Sequence, residues 1–248
     1  MKANEKYTYK GYQVCLFPMT FLNVTQWSSS TDPSHCCGHP ADYAGDGTKY
    51  PIYAPCDCTL CYSDNVGNTR GYTSTKKVWT PSGLRYVSFS FTHDDTPPSK
   101  TSFKQGELIA HTGTAGDASG DHSHIDQSFK QNANLVYSGI KCSHGNDCWY
   151  LDGSVDPTSF WYVNDTEIQN TEGHTFQTFK KGKPSGDTLN WIITNTSLNE
   201  ASRPLTEDEM KNNAKCFYGT MNILYGWTLN AVCGVLGNAQ SESTISPC

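Results

Sequence analysis

Between about residue 12 and residue 165 the sequence offers no long amphipathic helical pattern, and that restriction decides most of what the chain can fold into. Apolar residues come instead in short segments rich in β-branched and aromatic side chains: Tyr50–Ala54, Thr59–Tyr62, Leu84–Phe91 and Glu107–His111. Gly, Pro, Asn and Asp punctuate the intervals between them. The run from Tyr86 to Phe91 nearly alternates, which predicts a strand with one buried face. The expected fold class is therefore mainly β. A chain of 248 residues has room for one large domain or two small ones.

Charge and hydropathy remove several function classes. The net charge is −6 and no stripe of Lys and Arg stands out, so nucleic acid is not an expected partner. No apolar run approaches the length needed to span a bilayer, so no membrane span is expected. The segment from Met1 to Gly11 is charged and tyrosine-rich and lacks the apolar core of a secretory signal. A protein of this kind acting outside a cell needs another route there, and a virus particle released by lysis supplies one. Eleven cysteines is a high and odd number, and spacing alone does not fix their pairing. At least one of them is free, metal-bound or paired between chains.

The character changes toward the C-terminus. Residues 181–203 read as a linker, with the polar, glycine-containing stretch from Lys180 to Asp187 at its start. After Pro204, Thr206 and Glu209 fit a capping box, and Met210, Ala214, Phe217, Met221 and Leu224 follow at helical spacing. Gly226 is placed to end that helix, and Thr228 to cap a second. The expected organisation is a domain over 1–180, a linker over 181–203 and an incomplete, short helical segment over 204–248.

Three stretches carry candidate chemistry. The first holds Ser34, His35, Cys36, Cys37, His39 and Asp42; the second ends on His93; the third runs from Gly113 to His122, Ser123 and His124. His122 and His124 at i and i+2 on a strand project to one face, so both can address one metal, or one can bind while the other handles a proton. A catalytic zinc takes three protein ligands from His and carboxylate and keeps a fourth position for water, whose pKa it lowers. His35 and Asp42 would complete such a set with His124. A nearby imidazole can take the proton and later hand it to a leaving amine. Taken alone, an HxH triplet reads more readily as a chance pair of surface histidines.

The context of the triplet is more specific. From Phe103 to Gly116 the chain reads as a turn, a short strand and a glycine-rich loop leading into the histidine strand. This string resembles the K-x-G-x-x-I-x-x-x-G-x-x-G…G-x-H-x-H signature of the lysostaphin/LytM-like zinc endopeptidases. Ser34-His35 with Asp42 seven residues on resembles the form found in phage-encoded members, and the strand from Tyr50 to Asp57 resembles the one that follows it there. The resemblance runs in order from about Thr25 to Asp126. It implies a compact antiparallel β-sheet domain with an open groove, Zn2+ held by His35, Asp42 and His124, His122 as general base, and His93 hydrogen-bonding the water or the developing oxyanion. It implies a peptidase whose substrate is the cross-bridge or stem peptide of bacterial peptidoglycan.

The sequence departs from that pattern in places. His39 lies three residues before Asp42 and is a rival first ligand. Cys36, Cys37, Cys56, Cys58 and Cys61 can be a second, structural metal cluster, disulfides or small buried apolar groups. Cys142 and Cys148 can form a local disulfide.

The segment from Gly226 to Pro247 resembles the start of the lysozyme-like domain of phage tail lysins, with Glu242 matching the acid at the end of a helix. The chain stops six residues later, so no glycosidase activity is expected of it. Paired wall-directed segments imply a phage tail-associated, cell-wall-degrading protein of the virion, with other phage tail proteins as partners. The competing expectations are an inactive tail-tip or wall-binding protein that keeps the fold, and a hydrolase with a Cys nucleophile.

Overall fold

The computed structural model describes residues 1–28, 35, 37–141, 147–180 and 183–187. All of these belong to the first of two compact units, Met1–Ile192. The expected helices of 204–248 lie outside the described residues, as do Glu242, Cys36 and Cys142.

The regular structure of the described residues is mostly strand. Twelve strands bear on the argument: β1 (Phe21–Gln26), β2 (Ala41–Tyr43), β3 (Pro51–Tyr53), β4 (Cys58–Ser63), β5 (Arg70–Ser74), β6 (Ser88–Thr92), β7 (Ser102–Phe103), β8 (Leu108–His111), β9 (Ser123–Ser128), β10 (Leu135–Lys141), β11 (Asp147–Leu151) and β12 (Glu167–Asn170). Eight of them form one sheet in the order β7-β4-β5-β6-β9-β2-β1-β12. It is antiparallel except where β12 joins β1 in parallel. β3 and β8 pair beside it, and β10 and β11 make a separate two-stranded hairpin. One helical turn, α1 (Pro157–Phe160), starts on Asp156, whose carboxylate accepts the Thr158 N–H, with Pro157 at its first position.

One face of the sheet is apolar. Tyr43, Phe89, Phe91 and Ile125 point into a core completed by Phe17, Phe160, Trp161 and Phe176. Phe17 meets Tyr43 edge-on at 5.0 Å, and Phe89 lies 5.6 Å from Phe91. Each such fully buried side chain contributes about 1.5–3 kcal/mol.

Two sequence expectations change. The segment Leu84–Phe91 divides into a hairpin strand, Gly83–Arg85, and β6. β6 is also buried on both faces rather than one. Its serines are covered because the chain after β9 folds over them: Ser88 donates to the Lys130 carbonyl at 2.8 Å and accepts the Ala133 N–H at 3.2 Å.

Buried amides tie distant segments together. Gln105 donates to the carbonyls of Val14 (2.7 Å) and Pro55 (2.9 Å) and accepts the Tyr7 N–H at 3.0 Å. Gln127 donates to the carbonyls of His39 (2.8 Å) and Val155 (2.6 Å) and accepts from the Trp161 indole at 3.3 Å. Leaving such buried groups unmatched would cost about 1–3 kcal/mol each. Among the described residues no helix is long and apolar enough to cross a membrane.

Candidate functional site

Strand register builds the site. β9 lies between β6 and β2, and His124 is the direct partner of Thr92 on one side and of Asp42 on the other. Directly paired residues share a face, so the core residues Tyr43, Phe91 and Ile125 point one way and Asp42, Thr92 and His124 the other. His93 follows the end of β6, and His122 precedes β9 on the same face as His124.

His35 arrives from the segment ahead of β2. Its Nε2 lies 3.1 Å from Nδ1 of His124 and 3.3 Å from Oδ1 of Asp42, and His124 Nδ1 lies 3.0 Å from the same oxygen. Around a tetrahedral zinc with bonds of about 2.0–2.1 Å, neighbouring ligand atoms stand about 3.3–3.4 Å apart. The triangle of three atoms is close to that size, and a point about 2.1 Å from all of them exists. Among the described residues this is the group of His, Cys, Asp and Glu side chains that converges tightly enough to hold a metal ion. The donor set, two imidazoles and a carboxylate, suits a borderline cation such as zinc.

Backbone carbonyls orient the histidines. The Trp27 carbonyl lies 3.4 Å from His35 Nδ1, which turns Nε2 toward the cluster. The Gly120 carbonyl accepts from His122 Nδ1 at 2.8 Å, and the Ala115 carbonyl from His93 Nδ1 at 2.7 Å. In both neutral rings the unprotonated nitrogen is therefore Nε2. His122 Nε2 sits 3.5 Å from the second oxygen of Asp42, and the His93 and His122 rings are 4.6 Å apart. His93 adopts a left-handed backbone, φ 80°, an unusual state for a non-glycine residue. Its N–H donates to Gly67, and its carbonyl accepts from Ala115. That carbonyl also explains Gly113, where a Cβ would lie 2.2 Å from the His93 oxygen.

The electrostatics follow from burial and these contacts. Burial alone would raise the Asp42 carboxyl, but hydrogen bonds and charge from His124 and His35 outweigh it and hold the group far below the ordinary range. Burial opposes charge on His124, and Asp42 reverses that effect and raises its pKa. His93 has no such carboxylate against its ring; burial lowers it to about 4 despite the Ala115 contact, helped by His124 and His122. Asp126 is raised by burial, against hydrogen bonds from Ser154, Leu151 and Gln127.

His39 is exposed and stands outside the converging group, its backbone fixed by Gln127 and Ser154. The thiols of Cys15, Cys56 and Cys58 are buried and free, and burial pushes each pKa well up. They behave as small apolar groups, and burial raises Cys61 to about 11.

Several residues with a part in the site carried no role in the sequence reading. Asp126 lies two residues beyond His124 on the same face and lines the same cavity of about 410 Å³ as His93 and His124. The alternation His122, His124, Asp126 was its available signal. Asp121 accepts from the Lys49 N–H and the Thr112 hydroxyl, fixing the loop that delivers His122. Trp27 stacks on His174 at 3.7 Å and 11°, a contact across the fold that spacing could not reveal.

No family model matches the sequence. Over 119 residues the chain is 36% identical to Morphogenesis protein 1 of Bacillus phage B103, a match covering 47% of this chain and 32% of that protein. The chain thus spans about a third of the length of the curated relative it matches. Among solved structures it is similar to the lysostaphin catalytic domain of Staphylococcus simulans, at 14% identity and TM-score 0.31, over 47% of this chain and 73% of that one. It is similar to LytU at 17% identity and TM-score 0.37, over 55% of this chain and 82% of that one. It is also similar to the catalytic domain of the prophage-encoded M23 protein EnpA of Enterococcus faecalis, at 17% identity and TM-score 0.35, over 47% of this chain and 89% of that one. The chain is thus similar in sequence to a phage morphogenesis protein, and in solved structures to domains of peptidase type.

Proposed function

We propose that this chain is a zinc-dependent endopeptidase that hydrolyses peptide cross-links of bacterial peptidoglycan, within a phage tail-associated, wall-degrading protein of the virion. The observation that carries this reading is the convergence of His35, Asp42 and His124 on one point, with the unprotonated nitrogens of His122 and His93 beside it. Sequence kinship to a phage morphogenesis protein supports the virion setting and other phage proteins as partners. The peptidase domain is taken as 1–180, followed by a linker over 181–203.

His35, Asp42 and His124 would hold the ion. Zinc bound there would supply Lewis-acid polarisation of the peptide carbonyl and a water acidic enough to deprotonate near neutral pH. His122, with Nε2 unprotonated, would serve as the general base and return the proton to the leaving amine. His93, with Nε2 unprotonated in the neutral ring, would accept a hydrogen bond from the same water. The carbonyls of Gly120 and Ala115 hold both rings in the tautomer these roles need.

Replacing His122 with Ala tests the assignment. Turnover of peptidoglycan should fall to background while metal content stays near one zinc per chain. Full activity in that variant would refute the role of His122.

A further inference from the structure

His35 offers one ring nitrogen to the converging cluster, and its other nitrogen meets the Trp27 carbonyl at 3.4 Å. That distance is long for a hydrogen bond, so the contact does not by itself hold the carbonyl in place. Trp27 stands one residue beyond β1, whose last residue, Gln26, is the direct partner of Asp42. Trp27 therefore adjoins two of the three candidate ligands: it follows the strand partner of one and orients the other. Past the end of the strand, its indole ring is anchored.

The indole lies face to face with the imidazole of His174, centroids 3.7 Å apart and planes 11° from parallel, and it meets Phe176 edge-on at 6.1 Å. Phe176 is fully buried in the main core and fixes one side of the ring. His174 is half-buried and is held through its own backbone. Its N–H closes a turn on the Thr171 carbonyl at 2.9 Å, with Glu172 and Gly173 both left-handed at φ 48° and 82°. Asn170 pins that turn to β1. Its amide donates to the Val24 carbonyl at 2.7 Å, and its side-chain oxygen accepts the Glu172 N–H at 3.0 Å. The turn and the indole thus hang from the same strand, and the stacked pair joins them into a closed ring of contacts.

We propose that His174 is a positioning residue for the metal centre: stacked on Trp27, it holds the Trp27 carbonyl where that carbonyl engages His35 Nδ1 and keeps Nε2 turned toward Asp42 and His124. The inference rests on the metal-peptidase reading above and adds to it a residue that acts through Trp27 rather than on the ion. Groups that orient a ligating imidazole change metal affinity by about 10–100-fold when they are removed. His174 acts one step further out, so the lower end of that range applies.

The test reads metal binding separately from cleavage. The full chain, stripped of metal, is titrated with zinc against a chromophoric chelator, and with cobalt(II), whose visible absorption reports the arrangement of its ligands. His174→Ala should weaken zinc binding about tenfold and alter the cobalt spectrum. His174→Phe restores a flat ring against the indole and should recover most of the affinity and the wild-type spectrum. His174→Leu fills similar space without a π face and should behave like the alanine variant. Urea unfolding of the metal-free proteins reads stability on its own. A lowered unfolding midpoint with unchanged zinc affinity of the folded protein overturns the proposal, as does equal recovery by leucine and phenylalanine. If wild-type protein binds zinc and cleaves walls, and His174→Ala matches it in both, only the positioning role fails. If the ring-dependent change in affinity is found in a chain that never cleaves, the peptidase reading fails and the positioning role stands. A wild-type chain that binds neither metal brings down both.

Discussion

Asp126 gives the sharpest stability prediction. Its carboxylate accepts the Leu151 N–H at 2.5 Å, the Ser154 hydroxyl at 2.5 Å and the Gln127 N–H at 2.9 Å, and the residue is 2% exposed. Asp126→Ala strands three donors, of which only the serine hydroxyl can turn elsewhere. Hydrogen bonds to a charged group contribute about 1.5–3 kcal/mol each, and the loss is partly offset because a buried charge disappears. A net destabilisation of about 3 kcal/mol results. At a urea slope of about 2–3 kcal/mol per molar, the midpoint moves down by about 1 M or more. Asp126→Asn should behave differently. Its carbonyl can still accept from Leu151 and its amide can donate to Ser154, so one contact is lost while the burial of charge is relieved, for a net change of about 1 kcal/mol or less. Burial holds the folded-state pKa of Asp126 above its unfolded value. Its stabilising contribution is therefore complete below the ordinary carboxylate pKa and is lost as pH rises through the folded value. The asparagine variant should remove that slope. Urea titrations followed by tryptophan fluorescence across pH read all three quantities. An alanine variant within about 1 kcal/mol of wild type, or an asparagine variant as damaged as alanine, would refute the reasoning.

Further outcomes follow from other contacts. Asp42→Ala should lower both bound zinc, read by metal analysis, and peptidoglycan cleavage; unchanged zinc would place the carboxylate ligand elsewhere. A chelator should stop cleavage in a turbidity assay and added zinc should restore it, whereas insensitivity would favour a thiol nucleophile. Gly113→Ala forces a Cβ against the His93 carbonyl, where it would stand at 2.2 Å, and should cost about 2–3 kcal/mol and displace His93, lowering cleavage more than zinc content. Burial would raise Asp57, but Lys104, Gln13 and the Gln105 N–H outweigh it and depress its folded pKa. Its stabilisation should thus be present above the ordinary carboxylate pKa of about 3.9 and be lost as pH falls through the folded value. Asp57→Asn should flatten that acid limb of the thermal midpoint.

The sequence made the class of fold readable because its punctuation leaves no space for long helices over residues 12–165. The strands at Pro51–Tyr53, Cys58–Ser63 and Leu108–His111 lie where the apolar segments fall. Other features depend on contacts between distant segments. The serines of β6 look solvent-facing from alternation alone, and only the return of the chain past Lys130 buries them. His39 was a rival to His35 by spacing, and the amide of Gln127, 88 residues away, holds the His39 backbone where its side chain stays exposed. Asp126 was visible in the alternation, but a carboxylate two residues past a histidine has no assigned partner until Ser154 and Leu151 are brought to it. The pairing of β10 with β11 was hardest to read, since Tyr137 and Trp149 become neighbours only through strand pairing.

His124 meets Asp42 across 82 residues of chain and His35 across 89. Loop closures of that length come late in folding, because entropy is lost before any contact rewards it. A nascent chain halted before residue 122 has neither histidine of the triplet. A chain that has emerged fully but has not yet aligned its central strands has every donor atom and no shared focus for them. On the proposed reading, competence to cut would therefore be a property of the finished sheet and not of any single segment.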